Sequence, residues 1–219
     1  MSKNLVKYFL IANLVIFIGI IFSLYYLSNL NIPEPPPGSE KIIASKISNP
    51  EPNDVGENLS AEMIFTINAS SPNDWIYLDF SKGAIVPISD RSSADWDIGF
   101  RRAKIISNSG ASNPNGKGGI LAIENAEFES VVETPESGYM TDIRKNPAET
   151  ENPAAEKWYA YDFMTHHLKP KKNVYIVRTA DGKYAKMQLM KYYLEGIAGY
   201  YTIKYVYQGN GSRRFSKPR

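Results

Sequence analysis

Alternating apolar and polar residues near the C-terminal end constrain the fold more than any other feature of this chain. Residues 174–178 and 184–193 flank Asp181-Gly182, a dipeptide that readily adopts positive φ between two strands. A third alternating run covers residues 200–208. Period two with one polar face is typical of a half-buried antiparallel sheet. We therefore predict that the chain ends in an antiparallel meander.

The two faces of the second strand in this meander are expected to differ. Ala185, Met187 and Leu189 share its apolar face, and Lys186 lies on the opposite, polar face. We predict that the apolar face packs on the core and that the polar face meets water.

Short runs with strand character also fill the preceding part of the body. These runs are residues 63–67, 75–80, 84–88, 96–100, 102–106 and 120–123. Residues 124–132 fit either a short helix or another strand, and the polar, proline-marked residues 144–157 predict an exposed insert. Trp75, Trp96 and Trp158 are expected in core and cross-strand contacts. Frequent short strands with little helical periodicity predict an all-β fold, a single antiparallel β domain with little helix.

The N-terminal region predicts a membrane anchor. Residues 8–27 carry no charge, and a helix of this length can cross a hydrocarbon core about 30 Å thick. Lys3 and Lys7 precede this run and the next cation is Lys41, which predicts an N-terminus inside the cytoplasm and an exported body. A cleaved signal peptide is the alternative, but the run is long for one and no cleavage site of small residues follows it. The predicted location is the cytoplasmic (inner) membrane, single-pass, with a periplasmic or extracellular C-terminal domain and the lipid bilayer as a partner.

The chain is thus expected to have five parts. A cytoplasmic tip (residues 1–7) precedes the transmembrane helix (8–27) and a linker (28–62) that holds many of the 14 prolines. A segment this poor in large apolar residues is expected to remain extended. The β domain covers residues 63–212, and a basic tail (213–219) ends the chain.

The composition and the motifs exclude several classes of site. The chain has no cysteine, so it contains neither a disulfide nor a thiolate metal site. A formal net charge of +2, spread along the chain, argues against a nucleic-acid partner. The glycine-rich residues 108–119 lack the spacing of a phosphate-binding loop and are interpreted as a connection between strands. Neither G-x-S-x-G nor H-E-x-x-H occurs, so the protein is not expected to be an enzyme.

Two adjacent histidines, His166 and His167, are the candidate cofactor-binding residues. Either imidazole is suitable as an axial ligand to a porphyrin iron, with Met164 or Met140 as a thioether candidate nearby in the sequence. Adjacent side chains on a strand point to opposite faces, so the pair is not suited to chelating one metal ion, and no separate metal site is predicted. The alternative is that both histidines lie in an exposed turn and bind nothing.

A series of short motifs runs through the body in a recognisable order. The motifs are Trp75-x-Tyr-x-x-Phe-Ser-Lys-Gly83, Asp95-Trp-Asp97, Asn108-Ser-Gly110, Gly116-Lys-Gly-Gly119, Ser137-Gly-Tyr139 and Val177-Arg-x-Ala-Asp-Gly-x-x-Ala-Lys186. Together, and in this spacing, they resemble the HmuY family of haem-binding proteins from about residue 67 to residue 207. The resemblance implies a mostly β domain outside the cytoplasm. Founding members of that family are lipid-anchored haemophores that hold haem through two axial side chains and pass it to an outer-membrane receptor.

The sequence departs from the family at the implied ligand positions. Residues 144–157 contain no His or Met to match the first axial ligand, and the second falls near Phe163, beside Met164, His166 and His167. The leading prediction is a membrane-anchored, extracytoplasmic HmuY-like binding protein with haem as its cofactor. The alternative is a non-catalytic accessory or partner-binding subunit of a membrane protein complex, which reuses this fold without haem.

Overall fold

The chain divides into two compact units, which are Met1–Glu40 and Lys41–Arg219. The computed structural model describes Tyr8 and residues 13–21, 58–147 and 149–215. The predicted cytoplasmic tip, most of the predicted linker and the last part of the predicted basic tail lie outside the described residues.

The described part of the first unit is helical. Tyr8 and residues 13–21 are in helix, and their side chains are exposed. No helix in the described part of the chain is both long enough and apolar enough to cross a membrane. The remainder of the predicted transmembrane segment, up to residue 27, lies outside the described residues.

Antiparallel strands form the second unit. In chain order they are β1 (Met63–Asn68), β2 (Ile76–Asp79), β3 (Ala84–Val86), β4 (Ile98–Arg101), β5 (Lys104–Ser107), β6 (Gly119–Ile123), β7 (Ile143–Asn146), β8 (Glu149–Glu151), β9 (Tyr159–Asp162), β10 (His167–Pro170), β11 (Val174–Arg178), β12 (Tyr184–Leu194) and β13 (Ile197–Gln208). One sheet has the order β1-β13-β12-β11-β6, a second has the order β3-β2-β4-β5, and β7-β8 and β9-β10 are hairpins. One 3-10 turn, Phe128–Ser130, is the helical element found among residues 58–147 and 149–215. The predicted all-β antiparallel domain is therefore confirmed.

The C-terminal meander forms as the alternation predicts. Gly182 has φ +87°, and the Thr179 amide donates to the Lys183 carbonyl at 2.9 Å across the turn. Strand β11 then pairs with β12, and β12 pairs with β13. The Asp181-Gly182 turn thus sets the register of the sheet's central strands, as expected for a local signal.

The main core lies between the two sheets. The apolar face of β12 is buried there, with Ala185, Met187 and Leu189 at most 3% exposed. The four-stranded sheet contributes residues such as Leu78 and Phe100, both fully buried. Trp96 and Trp158 are also fully buried, in agreement with the expectation that they belong to the core. Removal of this apolar surface from water is the main force that holds the sheets together.

The opposite face of β12 is not the water-exposed face that the alternation predicted. A second apolar cluster covers it, made of Phe128, Val131, Val174, Ile176, Val206 and Phe215. Lys186 is only 5% exposed, and its Nζ donates to the carbonyls of Phe128 and Val131 at 2.9 and 3.0 Å. The prediction was wrong because the segment around Phe128 and the C-terminal Phe215 fold across this face, and a period-two pattern contains no information on such a cover.

Residues 108–119 connect β5 to β6, as interpreted from the sequence. Gly116 is needed for close approach rather than for its φ, because a Cβ there would lie 2.1 Å from the Asn108 carbonyl oxygen. Gly110 does have φ +51°, and it packs against the Asp142 backbone. The loop is therefore a close-packed connection, followed by a strand and not by a helix.

The polar residues 144–157 are only partly the exposed insert that was expected. Strand β7 is exposed, but Asn152 and Ala155 are buried. Asn152 Nδ2 donates to Asp142 Oδ1 at 2.9 Å and to the Met140 carbonyl at 2.8 Å. These hydrogen bonds hold the second half of the insert against the β domain. The polarity of the sequence does not predict this contact.

The packed body extends slightly beyond residues 63–212. At one end the Ser60 amide donates to the Tyr207 carbonyl at 2.8 Å. At the other end the Phe215 amide donates to the Val132 carbonyl at 2.8 Å, and the Phe215 ring is buried.

Candidate functional site

The β9–β10 hairpin brings the three candidate ligands together. Met164 and His166 lie in its turn, and His167 is the first residue of β10. All three side chains are exposed, and Met164 is 91% exposed. Strand β10 was not among the predicted strands, and its pairing with β9 forms the scaffold that positions these residues.

Asp162 shapes the turn of this hairpin. Its Oδ1 accepts hydrogen bonds from the amides of Met164 and Thr165 at 3.0 and 3.2 Å. Its Oδ2 accepts one from Lys169 Nζ at 2.6 Å. Chiefly through the Lys169 bond, and then through the two amides, the pKa of Asp162 is lowered to about 2. The carboxylate therefore stays ionised, and the turn keeps its bonds until the pH falls towards 2.

The two histidines have different surroundings. His166 has φ +56°, and its Nδ1 lies 2.5 Å from the Tyr161 hydroxyl. His167 instead packs edge-on against the ring of Tyr193, with centroids 4.7 Å apart. The Tyr193 hydroxyl in turn accepts a hydrogen bond from the Leu168 amide at 2.9 Å, which ties β10 to β12. Each imidazole is thus oriented by a different tyrosine.

An open pocket of ≈ 300 Å³ lies where β10 faces the end of β12. Its walls are His167, Leu168, Lys169, Pro170, Met190, Lys191, Tyr192 and Tyr193. Strand β12 is irregular here, because its pairing with β13 shifts between Leu189 and Lys191 and again before Tyr193. Bulges of this kind redirect side chains. Lys191 is consequently exposed and Tyr192 buried, the reverse of what alternation from the buried Leu189 predicts, and Met190 is 45% exposed.

The surface of the hairpin is unusually apolar for an exposed turn. Phe163 is 80% exposed, and its ring packs edge-on against Tyr161 at 4.9 Å. Together with Met164 it forms an exposed apolar tip beside the histidines. Apolar surface presented in this way is a common mark of a binding site.

Other residues weighed from the sequence lie elsewhere. Met140 pairs through its backbone with Ile120 and does not line the pocket. Met187 is 1% exposed and belongs to the core. Trp158 is fully buried, as expected of a core residue, and its Nε1 donates to the Ala103 carbonyl at 2.9 Å. Trp158 therefore supports the base of β9 and is not available to a ligand.

Sequence reasoning missed Tyr161 and Tyr193, the two tyrosines that orient the histidines. Tyr161 precedes His166 by one hairpin turn, so recognising β9 and β10 would have found it. Tyr193 reaches His167 only because of the irregular pairing of β12, for which the sequence carries no local signal.

The hairpin exposes the imidazoles of His166 and His167, the thioether of Met164 and the ring of Phe163. Within the described ranges, no group of three or more His, Asp or Glu side chains is arranged to hold a metal ion. A single imidazole beside exposed aromatic and thioether side chains fits one axial position of a haem iron. His166 or His167 would hold the iron of such a group through one imidazole nitrogen.

Comparison with known proteins agrees with this fold. Residues 71–205 match the family described as HmuY protein. No curated protein sequence matches the chain.

Several solved structures resemble the chain in fold. The apo HmuY analog of Tannerella forsythia is 21% identical, with a TM-score of 0.56 over 71% of this chain and 99% of its own. A candidate HmuY-like heme-binding protein of Bacteroides vulgatus is 22% identical, with a TM-score of 0.53 over 67% of this chain and 92% of its own. A candidate lipoprotein of Bacteroides fragilis is 17% identical, with a TM-score of 0.54 over 76% and 95%. At these identities the likeness is one of fold, and with the family match over residues 71–205 it establishes that this chain belongs to the HmuY family.

Proposed function

We propose that this protein binds haem at the β9–β10 hairpin and is held at the cytoplasmic membrane with its β domain outside the cytoplasm. The observation that carries the haem proposal is the exposed imidazole of His166, oriented by Tyr161 beside an apolar tip. The description of the Bacteroides vulgatus relative as heme binding supports it. A binding role also agrees with the expectation that the protein is not an enzyme.

His166 is the better of the two imidazoles for the iron. Histidines that ligate metals usually have their second ring nitrogen in a hydrogen bond, which fixes the tautomer. The Tyr161 hydroxyl occupies Nδ1 of His166, which leaves Nε2 as the ligating atom. His167 has its ring against Tyr193 and is the better residue for the wall of the pocket.

The apolar tip would supply packing for the porphyrin. Phe163 and Met164 expose most of their surface to water in the free protein. A bound macrocycle would cover that surface, and burial of apolar area stabilises a complex by roughly 25 cal/mol per Å². Met164 lies on the same turn as His166 and would contribute to this packing on the same side.

A hemin titration tests this proposal. Hemin added to the unit of residues 41–219 should give a sharp Soret band, and the double variant His166→Ala/His167→Ala should lose it. The matched control is Met140→Leu, which alters an exposed methionine away from the pocket. A wild-type spectrum identical to that of free hemin would contradict the proposal and favour the accessory-subunit alternative.

The anchor rests on the sequence of residues 8–27. This run has no charged residue and is preceded by Lys3 and Lys7, an asymmetry that favours a cytoplasmic N-terminus. A tether of this kind would keep the β domain close to the membrane surface, where a haem-binding protein could pass its ligand to a membrane partner.

A further inference from the structure

A second cluster with binding chemistry lies on the four-stranded sheet. Trp75 immediately precedes β2, and its ring lies under two guanidinium groups. The Arg101 Cζ is 4.6 Å and the Arg91 Cζ is 5.5 Å from its ring centroid. All three side chains are only partly buried.

Tyr77, two residues after Trp75, pairs with Gly99 on β4. A Cβ at Gly99 would lie 2.9 Å from Ile106 Cγ1 and 3.3 Å from the Tyr77 ring, so the glycine leaves room for both side chains. Burial raises the pKa of Tyr77, while the charges of Arg91 and Arg101 act in the opposite direction.

Neither arginine forms an ion pair with a carboxylate of residues 58–147 or 149–215. The arginines that form ion pairs within the described residues are Arg213 and Arg214. Arg91 donates through Nη2 to the Ser112 hydroxyl at 3.2 Å, and its Nε is buried without an acceptor among the described residues. An unpaired, buried guanidinium nitrogen is costly unless a ligand or water satisfies it.

The nearest carboxylates in the sequence and the sheet have other partners. Asp74 accepts a hydrogen bond from Ser71 at 2.7 Å, and Asp90 accepts one from Ser92 at 2.7 Å. Glu149 is paired with Lys104 and hydrogen-bonded to Asn146. Arg91 and Arg101 therefore form no ion pair among the described residues, although the charge of Arg101 contributes to lowering the pKa of Glu149.

We propose that Arg91, Arg101 and the Tyr77 hydroxyl bind an oxyanion, with Trp75 as the apolar wall of the site. The planar fork of an arginine matches the oxygen geometry of phosphate and carboxylate groups. The Tyr77 hydroxyl is a further candidate donor, because Tyr77 lies two residues after Trp75 and alternation places both on one face of the sheet. The natural ligand is therefore a phosphate or carboxylate group, either free or carried on a larger molecule such as a lipid headgroup. This site is separate from the β9–β10 hairpin and does not depend on haem binding.

Tryptophan fluorescence of the full chain provides the test, because Trp96 and Trp158 are fully buried and Trp75 is not. Inorganic phosphate, added at constant ionic strength against chloride, should change the emission saturably with a dissociation constant on the order of 1 mM. The change should vanish in Trp75→Phe, which assigns the signal. Dihexanoyl phosphatidic acid forms the second arm: tighter binding than phosphate identifies a lipid headgroup, and equal binding identifies the free ion.

Three variants test whether Arg101 binds the phosphate. Arg101→Gln should weaken phosphate binding by about tenfold or more, and Arg101→Lys should restore part of it, because the charge returns without the fork. Arg144→Gln removes an exposed arginine on β7 and should bind as the wild type does. A response that chloride reproduces, that does not saturate, or that Arg144→Gln reduces as much as Arg101→Gln would overturn the proposal.

Discussion

At the scale of single residues, Asp97 shows how one buried carboxylate joins the two sheets. Its Oδ2 accepts a hydrogen bond from the Phe80 amide and its Oδ1 one from the Ala180 amide, both at 2.8 Å. Phe80 follows β2 and Ala180 follows β11, so the contact links one strand end from each sheet. Burial, with the nearby charge of Asp79, raises the pKa of Asp97 to about 7.

This pKa predicts a pH dependence of stability. Because the pKa in the folded state lies above the ordinary value of 3.8, the stabilising protonation is complete below about pH 4 and is lost as the pH rises through 7. The free energy of unfolding should therefore fall between pH 5 and pH 8. The fall is about 1.4 kcal/mol for each pH unit over which Asp97 is protonated in the folded state and ionised in the unfolded state. Asp97→Asn should reduce this fall, leaving the part due to Asp142, whose pKa burial also raises.

Urea unfolding at pH 5 and pH 8 measures the effect. Asp95→Asn is the matched control, since Asp95 is exposed and only two positions away. A fall in Asp97→Asn as large as that in the wild type would mean that Asp97 does not titrate in this range.

At the scale of elements, the sequence predicted features that a few neighbouring residues specify. It did not predict contacts between segments that are distant in the chain. The turn at Asp181-Gly182 was predictable because a two-residue preference specifies it. The pairing irregularity of β12 and the cover over Lys186 depend on contacts between distant segments, so no short pattern contains them. For the same reason the sequence identified His166 and His167 as candidates but did not reveal that Tyr193 packs against His167.

The cover over β12 can be tested through Lys186. Lys186→Met should destabilise the fold by about 1–3 kcal/mol, because the carbonyls of Phe128 and Val131 lose their donor while remaining in contact with apolar groups. Lys191→Met, an exposed position on the same strand, should have little effect. Hydrogen exchange should locate the change at residues 126–132. Equal stability of the two variants would show that the ammonium contributes nothing to the cover.

At the scale of the whole molecule, we predict a tethered binding domain. Deletion of residues 8–27 should release the protein into the soluble fraction, because this is the uncharged run of sufficient length to anchor it. The full chain should instead sediment with membranes and resist extraction by alkaline carbonate. A full chain that alkaline carbonate extracts without detergent would contradict the anchor, while leaving the fold and the haem proposal intact.

The most direct test of the central claim compares the two histidines one at a time. Soret titrations with hemin should show His166→Ala binding at least about tenfold more weakly than the wild type, with an altered band, because the axial imidazole is lost. His167→Ala should retain the wild-type band, since its ring lines the pocket against Tyr193. Equal behaviour of the two variants, or a wild-type protein that leaves the hemin spectrum unchanged, would contradict the assignment of His166 as the iron ligand.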